Sequence, residues 1–367
     1  MSEIEILVPF GLPPAELAPD LLRNLTLPAV ATLLARGSVS ATAASKASST
    51  AADAHDDYAR ALPHEAWLAR RFGLGAALQS SGSPPIAASL LRNFGGAPEA
   101  GHWFVLQPVH LHVARDHLVL TDPRQLGLSE PDARALFAAA RGAFDEAGLT
   151  LHFGSADFWF VRADRHRDLQ TATPDATCGR NIDIWMPQGD SARAWRKLQN
   201  EVQMAWYGHP VNDAREQRRA HPVNSLWLWG GAEVPAAGTV AARSAASPAL
   251  DSLLGFSGWL AGFAEYAPTS DPQPVAQAVL AQPASQSLLM LDILIEPALA
   301  GDWGRWLECW HNLETRWFAP LLAALGDGRL DRISLLLGDG NRLRDYAVTR
   351  NSLRKFWAKP ALARMLP

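Results

Sequence analysis

The chain has 367 residues, 48% of them hydrophobic and 19% charged, with a net charge of −4. That is ordinary globular composition, long enough for one large α/β domain or two smaller ones, and it excludes a wholly disordered chain. A sequence pI near 6.3 and the lack of any long Lys/Arg block argue against nucleic acid or an anionic membrane as partner.

The first predicted element is a strand over Ile4–Phe10, stopped by Gly11 and Pro13-Pro14. Pro19-Asp20 opens a helical pattern through Leu21, Leu25, Val30, Leu33 and Leu34, with Gly37 as its stop. Ser38–Asp57 is rich in Ala, Ser and Thr and reads as a mobile loop or loosely packed connector. Leu62-Pro63-His64-Glu65 starts a second helix, which runs to Phe72-Gly73. Trp103–Leu106 and Val109–Val113 read as strands, and Ala114-Arg115-Asp116-His117 as the turn of a hairpin returning through Leu118–Leu120. Ser129 has the chemistry of a helix cap, and its helix ends at Gly148. Leu149–Phe153 and Phe158–Arg162 alternate like paired strands, and Ile182–Met186 reads as another. Ser191 opens a helix with apolar positions at Trp195, Leu198, Val202 and Trp206. Further on, Leu250–Phe263 is helical in pattern, Leu288–Ile295 a buried strand, and Trp303–Leu325 a long amphipathic helix. Ile333–Leu337 reads as a strand and Ser352–Trp357 as a last short helix. Buried strands alternating with helices imply an α/β sheet. The expected division is 1–100 and 166–367 as the two parts of an α/β domain, with 101–165 an antiparallel insertion between them.

Two isolated cysteines, Cys178 and Cys309, have no metal-like spacing and suit free thiols in a reducing cytoplasm, a single bridge being the alternative. The N-terminus carries acid where a signal peptide needs base. The longest apolar run, Leu253–Ala264, is too short to span a bilayer. A soluble, cytoplasmic protein is expected.

The densest chemistry lies where His-Pro-Val-Asn occurs twice, at His209–Asn212 and His221–Asn224. The first copy leads into a polar helix carrying Arg215, Arg218 and Arg219. The second leads into Ser225-Leu226-Trp227-Leu228-Trp229-Gly230-Gly231, read as a strand ending on a glycine pair. Strand ends beside such helices are where α/β proteins keep their sites. His209, Asn212, Arg215, His221, Asn224, Trp227 and Trp229 are therefore the candidate ligand-binding residues, with arginine suited to a phosphate or carboxylate. The alternative is two turns bracketing one helix, with Pro fixing the backbone and Asn bonding its surroundings.

Other features are weaker. His110 and His112 share a strand face, with His117 across the turn, but no third metal ligand is evident. Asp292 and Glu296 would share a face of the Leu288–Ile295 strand as a carboxylate pair. Gly338-Asp339-Gly340-Asn341 resembles part of a calcium loop without its later acid. Gly-x-Ser-x-Gly, Gly-x-x-x-x-Gly-Lys and a Gly-x-Gly-x-x-Gly after the first strand are absent. Trp303, Trp306 and Trp310 are either core or part of a partner surface.

The sequence resembles the bacterial regulatory-protein RpfE family in several segments. They are Leu198-x-Asn200-Glu201-x-Gln203-Met204, both His-Pro-Val-Asn copies, Leu62-Pro63-His64-Glu65-x-Trp67, Pro108–Leu120, Trp317-Phe318-x-Pro320 and Phe356-Trp357. Asn224–Gly231 is also similar to a strand of archaeal-type cofactor-independent phosphoglycerate mutases, of the alkaline phosphatase superfamily. That resemblance implies an α/β/α sandwich, two metals held by Asp and His, and a Ser or Thr nucleophile. Phe10 stands near the place of a metal-binding Asp in those enzymes. The Ile295–Asp302 segment lacks their His, and Gly340 replaces a ligand after Asp339. The expectation is thus an alkaline-phosphatase-like α/β/α fold without a catalytic or metal centre and without cofactor. Such a protein would be a regulatory or small-anion-binding pseudoenzyme taking a phosphorylated or carboxylated metabolite. The alternatives are an active metal-dependent mutase or phosphohydrolase and a protein-interaction module with a protein partner.

Overall fold

A computed structural model of the chain describes residues 2–39, 58–236, 250–271, 274–281 and 284–366. Its strands, in chain order, are β1 (Glu3–Val8), β2 (Ser38–Val39), β3 (Gly101–Val109), β4 (Leu111–Ala114), β5 (His117–Leu120), β6 (Thr150–Phe153), β7 (Trp159–Arg162), β8 (Ser225–Val234), β9 (Ser252–Leu254), β10 (Thr269–Asp271), β11 (Gln286–Met290), β12 (Arg332–Gly338) and β13 (Leu343–Thr349). The chain divides into two compact units. One comprises Met1–Asp57, Pro248–Leu260 and Ala264–Pro367, the other Tyr58–Ser247 with Ala261–Phe263. The expected insertion, 101–165, lies within the second unit, and so do both His-Pro-Val-Asn copies.

The first unit is built on a seven-stranded sheet in the order β10-β9-β11-β1-β12-β13-β2. Its first five strands are parallel, and β13 and β2 close it antiparallel. In the centre Ile6 lies opposite both Leu289 and Leu335, and Ile6 and Leu7, on opposite faces, are both fully buried. Burial of both faces is why these strands end in apolar runs, Ile6–Val8, Leu288–Met290 and Leu335–Leu337. The helix expected from Pro19 to Gly37 is two helices, Ala18–Arg23 and Pro28–Arg36, because Pro28 starts a new one rather than continuing the old. The second begins at Leu27, whose side chain cannot cap. The buried Glu314 carboxylate supplies the acceptor instead, taking the N–H of Ala29 at 2.6 Å and of Val30 at 3.2 Å. Glu314 sits in a π-helical turn, Glu314–Phe318, inside the long helical stretch Trp303–Asp327.

The second unit holds a four-stranded antiparallel sheet, β6-β7-β3-β8, and the separate hairpin β4-β5. Helices Glu130–Glu146 and Ala192–Trp206 cover the sheet, burying Trp159, Trp195 and Trp206 in one core. Ser129 caps the first of these as its sequence suggests, accepting the N–H of Asp132. Ser191 does not cap the second; its hydroxyl donates to Asp168.

Several expectations are corrected here. Ile182–Ile184 is a 3₁₀ turn, not a strand, and Leu250–Phe263 is β9 followed by a 3₁₀ turn, not a helix. The strand over Leu288–Ile295 ends at Met290, and Ile295–Leu299 is helical, so Asp292 and Glu296 are not partners on a strand face. The last helix is a single 3₁₀ turn, Ser352–Arg354. Trp306 and Trp310 are fully buried and Trp303 packs against the same core, so these rings are core rather than a partner surface. Of the Ser38–Asp57 connector, Ser38–Val39 is strand and 40–57 lies outside the described residues. Both cysteines are free thiols. Among the described residues no helix is long and apolar enough to cross a membrane.

Candidate functional site

The doubled tetrapeptide is a pair of carboxamide clamps. His209 caps helix Pro210–Gln217, its Nδ1 accepting the N–H of Val211 at 3.2 Å, and Pro210 occupies the first turn. Asn212 reaches across to the second copy, accepting the N–H of Val223 at 2.8 Å and donating to the carbonyls of Val223 and Trp206 at 2.9 and 3.1 Å. Asn224 grips Leu111 in the same way, accepting its N–H and donating to its carbonyl, both at 2.7 Å. Each amide stands in for a missing backbone partner.

Arg215 is buried and donates to the carbonyls of His221 and Leu126, and burial lowers its pKa. The exposed His221 ring stacks on His110 at 4.7 Å between centroids, and His110 Nδ1 pairs with the carbonyl of Pro222 at 2.8 Å. Trp227 and Trp229 lie in the core, their indole N–H groups bonded to Ala172 and Gln107. The structure thus gathers the first five candidates around one turn and sets the two tryptophans behind it. The groups expected to hold a ligand are engaged with the protein itself.

The glycine pair does not end its strand, because β8 continues to Val234. Gly230 and Gly231 together face the single residue Phe104 of β3, a bulge that requires φ +71° at Gly230. A Cβ on Gly231 would meet the Phe104 ring at 2.7 Å.

At the carboxyl edge of the parallel sheet in the first unit, where the resemblance implies two metals, the donor set does not fit. Phe10 follows β1 with φ 53°, its carbonyl accepting the indole N–H of Trp306 at 2.8 Å. Asp302 caps the Trp303 helix through the N–H of Arg305. Asp339 is consumed by its own turn: its carboxylate accepts the N–H of Asn341 at 2.8 Å, the N–H of Arg342 at 2.9 Å and the Nε of Arg342 at 2.7 Å. This is a closed turn, not a calcium loop.

A different group of donors converges in the second unit, and sequence reading took it only for a helix start. Glu65, in the first turn of helix Pro63–Arg71, folds back to accept the N–H of Leu62 at 2.6 Å. The same oxygen accepts the hydroxyl of Thr173 at 2.7 Å, and Thr173 in turn accepts the N–H of Ala176 at the start of Pro174–Thr177. That turn carries Asp175 and leads to Cys178. Arg124 bridges Asp175, through bonds of 2.6 and 3.1 Å, to Asp122, through 2.9 and 3.0 Å.

His64, Glu65, Asp122, Asp175 and Cys178 are all buried. Burial and then Asp175 push the Glu65 carboxyl up to about 8. Burial and then Arg124 bring the His64 imidazole down to about 3. Burial pulls Arg124 down, but Asp175 and Asp122 outweigh it and hold the guanidinium above its ordinary value. Burial, reinforced by Asp175, raises the Cys178 thiol, so it is no ready nucleophile. Among the described residues, His64, Glu65 and Asp175 are the one set of three such side chains whose ligand atoms come together, all within 4.8 Å of one another. By contrast His110, His112 and His117 do not converge, and His117 bonds Asp116.

The largely parallel sheet of the first unit and the antiparallel sheet of the second define a mixed α/β protein of two units. No family model matches the chain. It is similar to a probable 2,3-bisphosphoglycerate-independent phosphoglycerate mutase of Geobacter sulfurreducens, 28% identical over 163 residues. That match spans 42% of this chain and only 38% of the relative. Among solved structures it is similar to the PH0037 protein from Pyrococcus horikoshii, at TM-score 0.50 and 12% identity, over 95% of this chain and 87% of that one. A cofactor-independent phosphoglycerate mutase from Thermoplasma acidophilum aligns at TM-score 0.43 and 15% identity, over 95% and 89%. The remote resemblance to 2,3-bisphosphoglycerate-independent phosphoglycerate mutases therefore holds at the level of sequence, over part of the chain.

Proposed function

We propose that this chain is a non-catalytic protein of phosphoglycerate-mutase-like fold, a regulatory protein of RpfE type that binds a small phosphorylated or carboxylated metabolite. The observation that carries the non-catalytic reading is the carboxyl edge of the first unit's sheet. There Asp339 is locked by three donors and Phe10 stands in a metal ligand's place. A two-metal centre needs several unengaged oxygen and nitrogen donors, which the described residues of that edge do not offer. No catalytic step is routed through such a centre.

Support for a small anion comes from a cleft of about 370 Å³ in the second unit, between the β4-β5 hairpin and helix Ala192–Trp206. Leu111, Leu118, Ile182 and Met186 form its apolar wall, and Arg196, Gln199, Asn200 and Gln203 its polar one, with the Asp183 carboxylate also on the lining. A guanidinium flanked by carboxamides suits a phosphate or carboxylate.

The test has two arms. Thermal melting with 3-phosphoglycerate and phosphoenolpyruvate at millimolar concentration is expected to raise Tm by a few degrees, an effect lost in Arg196→Ala. No shift with either ligand would overturn the metabolite reading. Mutase activity assayed with manganese is expected at the level of buffer alone. The Geobacter relative favours a second reading, an active mutase, and manganese-dependent turnover would establish it.

A further inference from the structure

We propose that His64, Glu65 and Asp175 form a binding site for one divalent cation inside the second unit. Their donor atoms, one imidazole nitrogen and two carboxylate oxygens, lie within 4.8 Å of one another. Around an ion bound at about 2.1 Å, donors stand roughly 3–4 Å apart, so modest side-chain closure would bring all three onto one ion, with water as the remaining ligand. One imidazole with two carboxylates suits zinc or manganese rather than calcium.

Charge points the same way. Two buried carboxylates, Asp122 and Asp175, share a single guanidinium, Arg124, and a third buried carboxyl, Glu65, lies beside Asp175. Surplus negative charge in a buried place is costly, and a divalent cation offsets it. The supporting contacts orient the ligand set: Leu62 N–H and the Thr173 hydroxyl fix Glu65 through one oxygen, and Arg124 holds both oxygens of Asp175. The Arg124 side chain bonds Asp175 and is 37% exposed, so its displacement would give a path of entry.

An ion here would tie Pro63–Arg71 to Pro174–Thr177, segments whose existing link, Glu65 to Thr173, spans 108 positions. Closing so long a loop stabilises by restricting the unfolded chain. This cation is structural, and it is separate from the sheet edge where the phosphoglycerate mutase resemblance implies metals.

The full chain is loaded with zinc or manganese, dialysed and assayed for metal by mass spectrometry. About one ion per chain and a Tm raised by several degrees are expected. Both are lost in Glu65→Gln and Asp175→Asn, and both are kept in Asp339→Asn, at the turn in the other unit. Because buried variants can fail to fold, the unmodified chain is also loaded with cobalt and examined by X-ray absorption, where one imidazole and carboxylate oxygens are expected. Three results would each overturn the proposal. They are no retained metal and no Tm change, an ion retained undiminished in both cluster variants, and a cobalt shell without imidazole.

Discussion

The carboxyl edge of the parallel sheet and the buried cluster of the second unit hold the same kinds of residue in opposite arrangements. At the edge, Asp339 is absorbed by its own turn and Arg342, and Asp302 by the start of the next helix. In the cluster, Glu65 and Asp175 come from segments far apart in the chain and point at a common place with His64. Local engagement turns a carboxylate into a structural cap. Convergence from distant segments, against too little positive charge, leaves it available for chemistry.

Three variants sharpen or break this contrast. The largest effect is expected at the edge. Trp306→Ala removes a fully buried ring together with the bond that holds the strained Phe10 carbonyl. Urea unfolding should show a loss of about 3–5 kcal/mol; a loss under 1 kcal/mol would mean that the edge is not held by packing. Next, Arg124→Met leaves Asp122 and Asp175 facing each other without their shared partner. A loss of about 1–2 kcal/mol is expected, moderated because the arginine is partly exposed. If stability is unchanged, the cluster's charges are not coupled as described. The smallest effect belongs to Asp339→Asn, which keeps one acceptor for the turn and gives up the ion pair with Arg342. About 0.5–1 kcal/mol is expected in the same unfolding measurement, and a loss as large as that of Trp306→Ala would show the turn to be more than a local cap.

Much of the fold was legible where the local signal was strong. β1 and β12 carry apolar runs, Ile6–Val8 and Leu335–Leu337, and Ser129 with its acids marks a helix start that the structure reproduces. The signal failed where short apolar runs had no periodicity of their own. Leu253 and Leu254 became strand because they pair with β11, and Ile182 became a 3₁₀ turn because pairing with β5 stops at a single bridge, Asn181 to Val119. β13 was missed because its residues are only half-buried and polar in part.

The candidate site was legible to a smaller extent. The doubled tetrapeptide drew notice for its functional groups, yet those groups serve as carboxamide clamps and caps. Leu62-Pro63-His64-Glu65 was visible as a motif but read only as a helix start. Nothing in the local sequence says that Asp175 lies against it.

The sequence by itself determined where strands and helices with long, regular patterns begin, and that part of the chain resembles a phosphoglycerate mutase. Periodicity and capping act over a few residues, so they can be read along the chain. Tertiary structure alone decided that Gly230 and Gly231 form a bulge rather than a strand end, that Trp306 and Trp310 are core, and that His64, Glu65 and Asp175 meet. Each of these depends on which distant segments pack together, and burial and charge pairing act through space, across separations in the chain that no local pattern records.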